Sequence, residues 1–346
     1  MKKLLNHHHL YMQRCLTLAQ KGLGNTYPNP LVGCVIVCDN EIIGEGWHHK
    51  AGQAHAEVNA IASVKDKQRL KRSTLYVSLE PCNHHGQTPP CTDLIIKHQI
   101  PNVVVGCIDP FEKVNGGGIA ALEKAGINVS IGPMKKEAIA LNKRFFTFHQ
   151  QKRPYIILKW AQSQDGFIAP LANQRHEKAP VFLSSKEDRR LVHQWRSQEQ
   201  AILVGAQTVE DDNPQLTTRE IDGPHPVRVV LDPNQRLSQN YAVFNSDAKT
   251  LHLTKKVLAL KGQAHPKEVI EKTLAYLYRE NISSLIVEGG SRTLAHFIAF
   301  EFWDEARVFT PPIELTKGVP APPFSLENIK GKKKPYQLIF RRQKEL

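Results

Sequence analysis

His55, Glu57, Cys82 and Cys91 are the side chains of this sequence best equipped for chemistry. One imidazole and two thiolates are ligands that zinc takes readily. Three protein ligands leave its fourth position to water, as a hydrolytic site requires and a closed structural site does not. Glu57, two residues after the histidine, is a carboxylate that the metal does not need, so it is free to move protons. Zinc hydroxide in such a site suits attack on an amidine-like ring carbon that bears an exocyclic amine, with Glu57 relaying protons to the ring nitrogen and the departing ammonia. A structural zinc knot is the competing reading, with His84 or His85 as the fourth ligand. Of the six cysteines, Cys15, Cys34, Cys38 and Cys107 fall in apolar helix or strand patterns and read as core.

The elements that must position these groups follow from hydrophobic period and turn signals. Tyr11 to Lys21 predicts an amphipathic helix. Leu31 to Val37 and Ile42 to Trp47 predict two strands joined at Asp39-Asn40. A helix over Glu57 to Val64 puts His55 and Glu57 at its first turn, where backbone N–H groups and the helix dipole face the metal pocket. Cys91 precedes a predicted helix over Thr92 to His98, a position that favours the thiolate. Strands are expected at Thr74 to Ser78, Val103 to Gly106 and Val129 to Ile131, and helices at Ile119 to Ala125 and Lys135 to Phe146. The polar, basic stretch Phe148 to Pro154 marks a domain boundary, giving domains over 1–148 and 149–346.

The second domain repeats the alternation. Strands are predicted at Tyr155 to Trp160, Ala201 to Val204, Val227 to Leu231 and Ser284 to Val287, and helices at Ser185 to Ser197, Pro266 to Glu280 and Ser291 to Phe300. Pro311 to Pro323 reads as an irregular connection before a last strand near Tyr336 to Arg341. Lys159 near a strand end suits an anion. Gly289-Gly290-Ser291, between a strand and a helix, would let a phosphate approach the helix N–H groups, although this is no Rossmann fingerprint and a plain tight turn explains it equally. Gly205, Thr208, Asp211, Asp212 and Thr217 to Arg219 form a further polar cluster.

A chain of 346 residues with 41% hydrophobic and 23% charged residues is that of a globular, two-domain protein, not a disordered one. No apolar run approaches a membrane span and the start lacks a signal-peptide core, so no membrane association and a cytoplasmic location are expected. The net charge of +13 favours anionic partners such as phosphorylated metabolites or nucleic acid. The basic runs Lys65 to Arg72 and Lys330 to Lys334 lack interleaved aromatics and read as solvated faces, so no nucleic acid is expected. Self-association into a homo-oligomer is compatible with these features.

The segments Tyr27-Pro28-Asn29-Pro30-Leu31-Val32-Gly33, His55-Ala56-Glu57, and Leu79 to Gly86 through Thr88-Pro89-Pro90-Cys91 resemble the deaminase half of the bifunctional riboflavin-biosynthesis deaminase/reductase family. Zinc deaminases share the order of His-x-Glu and Pro-Cys. The eight residues between Cys82 and Cys91 match this family and not the tRNA adenosine or cytidine deaminases. The resemblance implies a cytidine-deaminase-like α/β/α layer sandwich followed by a dihydrofolate-reductase-like α/β domain. It implies zinc at His55, Cys82 and Cys91, with Glu57 as proton carrier, and a phosphorylated pyrimidine nucleotide near Asn29, His48 and His84. In the second domain it implies NADPH around Ala161, Thr208, Asp212 and Gly290 to His296, including Ser291, Arg292 and Thr293. Substrate would lie around Arg196, Leu216, Arg219 and Glu288, and Lys159 beside the ribosyl group to be reduced. Gln87, Phe111, Phe182 and Pro233 depart from residues common in the family: a basic residue, asparagine, tryptophan and serine.

The leading expectation is thus a two-step enzyme that deaminates 2,5-diamino-6-(5-phosphoribosylamino)pyrimidin-4-one and then reduces the ribosyl group to ribityl with NADPH. One alternative keeps the deaminase but has a second domain that no longer reduces, as Phe182 and Pro233 suggest. Another, from a different class, is a basic nucleic-acid binding or editing protein.

Overall fold

The computed structural model describes residues 2–84, 89–112, 114–174, 183–324, 330–334 and 337–341. The chain divides into two compact α/β units, Met1–Gln151 and Lys152–Leu346. In the first, the elements run α1 (Lys2–Gln20), β1 (Gly33–Cys38), β2 (Glu41–Trp47), α2 (Ala56–Ser63), β3 (Thr74–Val77), α3 (Cys91–Lys97), β4 (Asn102–Val105), α4 (Gly117–Lys124), β5 (Asn128–Ile131), α5 (Lys135–Leu141) and α6 (Lys143–Gln151). The sheet order is β2-β1-β3-β4-β5, with β1 antiparallel to both its neighbours and β3, β4 and β5 parallel.

Strand alternation divides the core between the two faces of this sheet. Cys34 and Ile36 of β1 join Ala56, Ala60 and Ile61 of α2, Ile95 of α3 and Leu122 of α4 on one side. Val35 and Val37 join Tyr11, Met12, Cys15 and Leu18 of α1 on the other. The glycines of β2 let α2 lie almost on the strand: a Cβ on Gly44 would sit 2.6 Å from the Ala60 carbonyl oxygen, and one on Gly46 would collide with the Ala60 nitrogen. This close seat sets the height at which the start of α2 emerges above the sheet.

One expected element is two. Where Lys135 to Phe146 predicts a single helix, the chain forms α5 and α6 with a break at Asn142. The Asn142 side chain, buried, accepts from the Leu31 N–H and donates to the Leu31 carbonyl, both at 2.8 Å. The break is confined to the dihedrals of Asn142 itself, φ −96° and ψ 20°, since its N–H still bonds to the Ala138 carbonyl and its carbonyl still accepts from the Phe146 N–H.

The second unit contains β6 (Tyr155–Ala161), β7 (Phe167–Ala169), α7 (Lys186–Gln198), β8 (Ala201–Gly205), α8 (Ala206–Asp212), β9 (Val227–Leu231), β10 (Thr250–Leu253), α9 (Pro266–Arg279), β11 (Ser284–Gly289), α10 (Ser291–Ala299), β12 (Glu305–Phe309), β13 (Val319–Pro320), β14 (Lys330–Lys334) and β15 (Gln337–Arg341). Its main sheet has the order β10-β9-β8-β11-β6-β12-β15-β14, parallel through β12 and antiparallel beyond. Burial on both faces explains the continuous apolar runs of β6, β8 and β11. Leu274 of α9 and Phe297 of α10 pack on one face, and Trp195 of α7 and Val209 of α8 on the other.

The strands β10, β12 and β14 and the helix α8 are not foreseen from the sequence. β12 is hidden by Glu305 and Arg307. Both are buried in a network in which Arg307 reaches Glu305 at 2.8 Å and Glu199 at 3.5 Å, with its guanidinium 4.6 Å from the Trp195 ring centre. The basic run Lys330 to Lys334 supplies the edge strand β14. No helix among the described residues is long and apolar enough to cross a membrane.

Because Gly46 has no room for a side chain, Gly46→Ala should destabilise the first unit by about 1–3 kcal/mol through overpacking against α2. A lowered denaturant midpoint for that unit's unfolding would bear this out, and an unchanged midpoint would contradict it.

Candidate active sites in the two units

In the first unit the three expected metal ligands meet. His55 is the residue just before α2, and Cys91 is the first residue of α3 and not the one before it. Cys82 comes from the loop that follows β3. His55 Nδ1 lies 3.3 Å from the Cys91 sulfur and 3.5 Å from the Cys82 sulfur, and the three ligand atoms all fall within 4.8 Å of one another. Bond lengths of about 2.0–2.1 Å for zinc to nitrogen and 2.3 Å for zinc to sulfur place two tetrahedral ligands roughly 3.5 Å apart, so this spacing fits a shared zinc ion. Among the described residues no fourth His, Cys, Asp or Glu joins the group; His85 and Gln87 lie outside the described residues.

The sulfurs are set up electrostatically for a cation. The Cys91 backbone N–H points at the Cys82 sulfur at 3.3 Å. Hydrogen bonding with Cys91, followed by that with His55, pulls the Cys82 thiol down to about 4, against the resistance of burial. The same contact with Cys82, helped by burial, pushes Cys91 up. The pair gives up one proton readily and holds the second, which a divalent ion would displace.

Glu57 sits in the first turn of α2 with only 4% of its surface exposed. Burial, and then the Cys82 charge, push its carboxyl up to about 7. Beside it stands a hydrogen-bonded pair. His48 Nδ1 lies 3.1 Å from the Ala54 carbonyl, which leaves Nε2 to accept from the Asn29 amide at 3.1 Å. The His48 ring meets the His55 ring edge-on at 5.5 Å, and burial lowers its pKa, which favours the neutral form. The Asn142 bonds to Leu31 fix the segment that carries Asn29. His84 Nδ1 and Asn83 Oδ1 are buried without a partner among the described residues, and the His84 ring meets Phe111 at 6.2 Å. Asn29, His48, His55 and Glu57 are thus gathered at one place, and His84 follows the Cys82 ligand by two residues.

In the second unit a cleft of about 1590 Å³ opens at the carboxyl ends of β6, β8, β9 and β11, the end at which parallel sheets bind ligands. It is lined by Lys159, Ala161, Thr208, Asp212, Arg196, Leu216, Arg219, Glu288 and Gly290 to Thr293. The residues expected around cofactor and substrate in this half therefore border one space, whereas Thr217 and Thr218 of the polar cluster do not line it. Pro233 also lines it, whereas Phe182 lies outside the described residues.

At its centre Arg196 donates to Glu288 at 2.7 Å. Although burial opposes it, the charges of Arg196 and Lys159 hold Glu288 down to about 2. Burial lowers Lys159, and Glu288 counters this. Around this pair the field is positive. Burial and then Arg196 depress Arg219, while burial, Arg196 and Arg219 push His193 down to about 4, so its neutral Nδ1 accepts from the Arg219 N–H at 3.1 Å. Guanidiniums of this kind suit an anion such as a phosphate. Leu216 turns the chain here with φ of +56°, a left-handed conformation held against its steric cost.

On the other wall, Thr208 Oγ1 accepts from the Gly290 N–H at 2.9 Å, and a Cβ on Gly289 or Gly290 would press on that hydroxyl at 3.1 Å. No side chain caps α10, so its first N–H groups remain available to an anion. Arg236 and Lys255 also line the cleft, beyond β9 and β10. Sequence reasoning missed both, because single basic residues in loops carry no spacing signal.

A model of the cytidine and deoxycytidylate deaminase zinc-binding region matches residues 5–107, and one of the RibD C-terminal domain matches residues 154–338. The riboflavin biosynthesis protein RibD of Aquifex aeolicus is 42% identical over 325 residues, covering 89% of this chain and 88% of that one. RibD of Escherichia coli is 36% identical and covers 87% of each chain. The crystal structure of a diaminohydroxyphosphoribosylaminopyrimidine deaminase/5-amino-6-(5-phosphoribosylamino)uracil reductase from Thermotoga maritima superposes with a TM-score of 0.85 at 35% identity, covering 98% of this chain and 99% of that one.

His193 supplies a pH test of the cleft. An unfolded histidine titrates near 6.5, while this one titrates at about 4 in the fold. Between these values the unfolded chain binds the extra proton, so stability should fall as pH is lowered from roughly 6.5 towards 4. In His193→Gln that part of the loss should disappear. Urea midpoints measured at several pH values decide it, and identical slopes in both proteins would refute the assignment.

Proposed function

Since this chain belongs to the RibD family of riboflavin biosynthesis proteins and is a deaminase and a reductase in one polypeptide, we propose that it acts on 2,5-diamino-6-(5-phosphoribosylamino)pyrimidin-4-one. It replaces the exocyclic amine by a carbonyl oxygen, then reduces the ribosyl group of the product to ribityl with NADPH. The observation that carries this reading is the cluster of His55, Cys82 and Cys91 with the buried carboxyl of Glu57 beside it.

The deaminase residues divide the work. His55, Cys82 and Cys91 would hold zinc, which when bound makes water a nucleophile near neutral pH. Glu57 takes a proton from the attacking water and returns it to the ring nitrogen, and a second transfer lets the amine leave as ammonia. Burial keeps this carboxyl from being diverted by solvent. Asn29 and His48, already bonded to each other, offer an amide and a neutral imidazole to the edge of the pyrimidine. The unsatisfied His84 Nδ1 offers a polar contact to the ribosyl phosphate arm.

In the reductase cleft, NADPH would lie along Ala161, Thr208, Asp212 and Gly290 to Thr293 and supplies hydride to C1 of the opened ribose. Gly289 and Gly290 allow its phosphates to approach the start of α10. Arg236 and Lys255 favour a dinucleotide that carries an extra phosphate, which supports NADPH over NADH. Arg196 and Arg219 hold the substrate phosphate, and Leu216 shapes the wall between them. Lys159, whose pKa burial lowers and Glu288 partly restores, is placed to give a proton to the sugar oxygen as the ring opens.

Ammonia release and NADPH oxidation followed together on the diaminopyrimidine nucleotide test both steps. Glu57→Gln should keep zinc and lose ammonia release by about 10²–10⁴-fold, while still oxidising NADPH when supplied with the deaminated intermediate. Lys159→Met should do the reverse, releasing ammonia at the normal rate with NADPH oxidation reduced by a comparable factor. Wild-type protein that oxidises no NADPH with the intermediate, or Glu57→Gln that still releases ammonia, would overturn the assignment of the corresponding step.

A further inference from the structure

Glu80, two residues before the Cys82 ligand, has no part in the chemistry described above, yet it is one of the most heavily engaged side chains of the first unit. It is 4% exposed. Its Oε2 accepts from the N–H groups of Asp109 at 3.1 Å and Gly116 at 3.0 Å, and its Oε1 accepts from those of Gly118 at 2.9 Å and Ile119 at 3.3 Å. The four backbone donors on this one carboxylate come from Asp109, in the loop after β4, and from Gly116, Gly118 and Ile119 at the start of α4. The segment is shaped to receive it. Gly116 turns with φ of +85°, a Cβ on Gly118 would collide with the Pro81 carbonyl oxygen, and one on Gly117 would collide with the Asn83 amide. Asp109 passes the constraint on, since its Oδ1 accepts from the Phe111 N–H at 2.8 Å.

The consequence is that one side chain fixes two facing pieces of the site. On its own loop it stands beside Pro81, Cys82, Asn83 and His84. Across from it the clamped segment carries Phe111, whose ring meets His84 at 6.2 Å. Asn83 Oδ1 and His84 Nδ1 are buried and unsatisfied among the described residues, so the clamped loop presents polar atoms that await a partner. We propose that Glu80 is a positioning residue for the deaminase. It locks the 109–119 segment against the Cys82 loop so that Asn83, His84 and Phe111 form a fixed wall for the nucleotide's pyrimidine and sugar phosphate. This rests on the deaminase reading above. A carboxylate is needed because all four partners are donors: an amide would turn an NH₂ group towards N–H groups and could satisfy at most half of them.

Glu80→Gln in the full chain tests this, with Glu80→Asp as the milder variant that keeps the charge but shortens the reach. NADPH oxidation with the deaminated intermediate serves as a measure of correctly folded chain, and zinc per chain as a measure of the metal site. For Glu80→Gln we expect stoichiometric zinc, unchanged reductase turnover, and KM for the diaminopyrimidine nucleotide raised about tenfold with a smaller fall in kcat. Glu80→Asp should fall between this variant and wild type. Unchanged KM and kcat in Glu80→Gln would overturn the proposal. So would a loss of activity in both variants that tracks lost zinc with KM unchanged, which would assign Glu80 to folding alone. Wild-type protein that releases no ammonia would instead overturn the deaminase reading, and the two failures are thereby separate.

Discussion

A carboxylate taken out of water must be met by donors or by positive charge, and both units of this protein are organised around meeting that demand. In the first unit Glu80 is met by four backbone N–H groups, and Glu57 is the exception, left with its proton affinity raised. In the second, Glu288 is met by Arg196 and Lys159, Asp304 by Arg153, and Glu305 with Glu199 by Arg307. Where the demand is fully met the carboxylate is architecture. Where it is met only in part, or shared with a titratable partner, chemistry becomes available. The contrast between Glu57 and Glu80 lies in this difference of surroundings, not in residue type or depth.

The two sites are built by different routes from the same kind of sheet. In the first unit, helix starts bring His55, Glu57 and Cys91 together over a close-packed strand, and glycines in β2 set their height. In the second, the carboxyl ends of parallel strands converge, and β11, inserted between β8 and β6, delivers Glu288 and the Gly289-Gly290 turn to the middle of the cleft. The first arrangement gives a compact site suited to a metal and a small ring. The second gives a larger cleft of about 1590 Å³ lined from several strands.

Much of this was legible in the sequence, and the reasons are physical. Histidine and cysteine are rare residue types, so the grouping of His55, Cys82 and Cys91 with Glu57, which the fold does bring together, is visible from their order and spacing. Strands buried on both faces are unbroken apolar runs, so β6, β8 and β11 stood out. What stayed hidden were features that depend on distant partners. β12 carries Glu305 and Arg307 in its interior and reads as a polar stretch until their ion pairs are seen. The Asn142 side chain gives no local sign of its partner, the Leu31 backbone. Glu80 lies inside the Leu79 to Gly86 motif, yet nothing in its sequence neighbours foretells donors from Asp109, Gly116, Gly118 and Ile119. The charge run Lys330 to Lys334 carries no strand pattern of its own and forms the edge strand β14.

The bond between Asn142 and Leu31 also sets an order of events when the chain is made. The turn that presents Asn29 lies near the amino terminus, but the amide that holds it in place is among the last parts of its unit to be synthesised. Emerging from the ribosome, the early strands can pair, while the turn must wait for α5 and α6 to follow. A shortened polypeptide that stopped before residue 142 would keep His55, Cys82 and Cys91 and lose the hydrogen bonds that fix the segment carrying Asn29. The stretch around Asn142 therefore completes a segment laid down more than a hundred residues earlier.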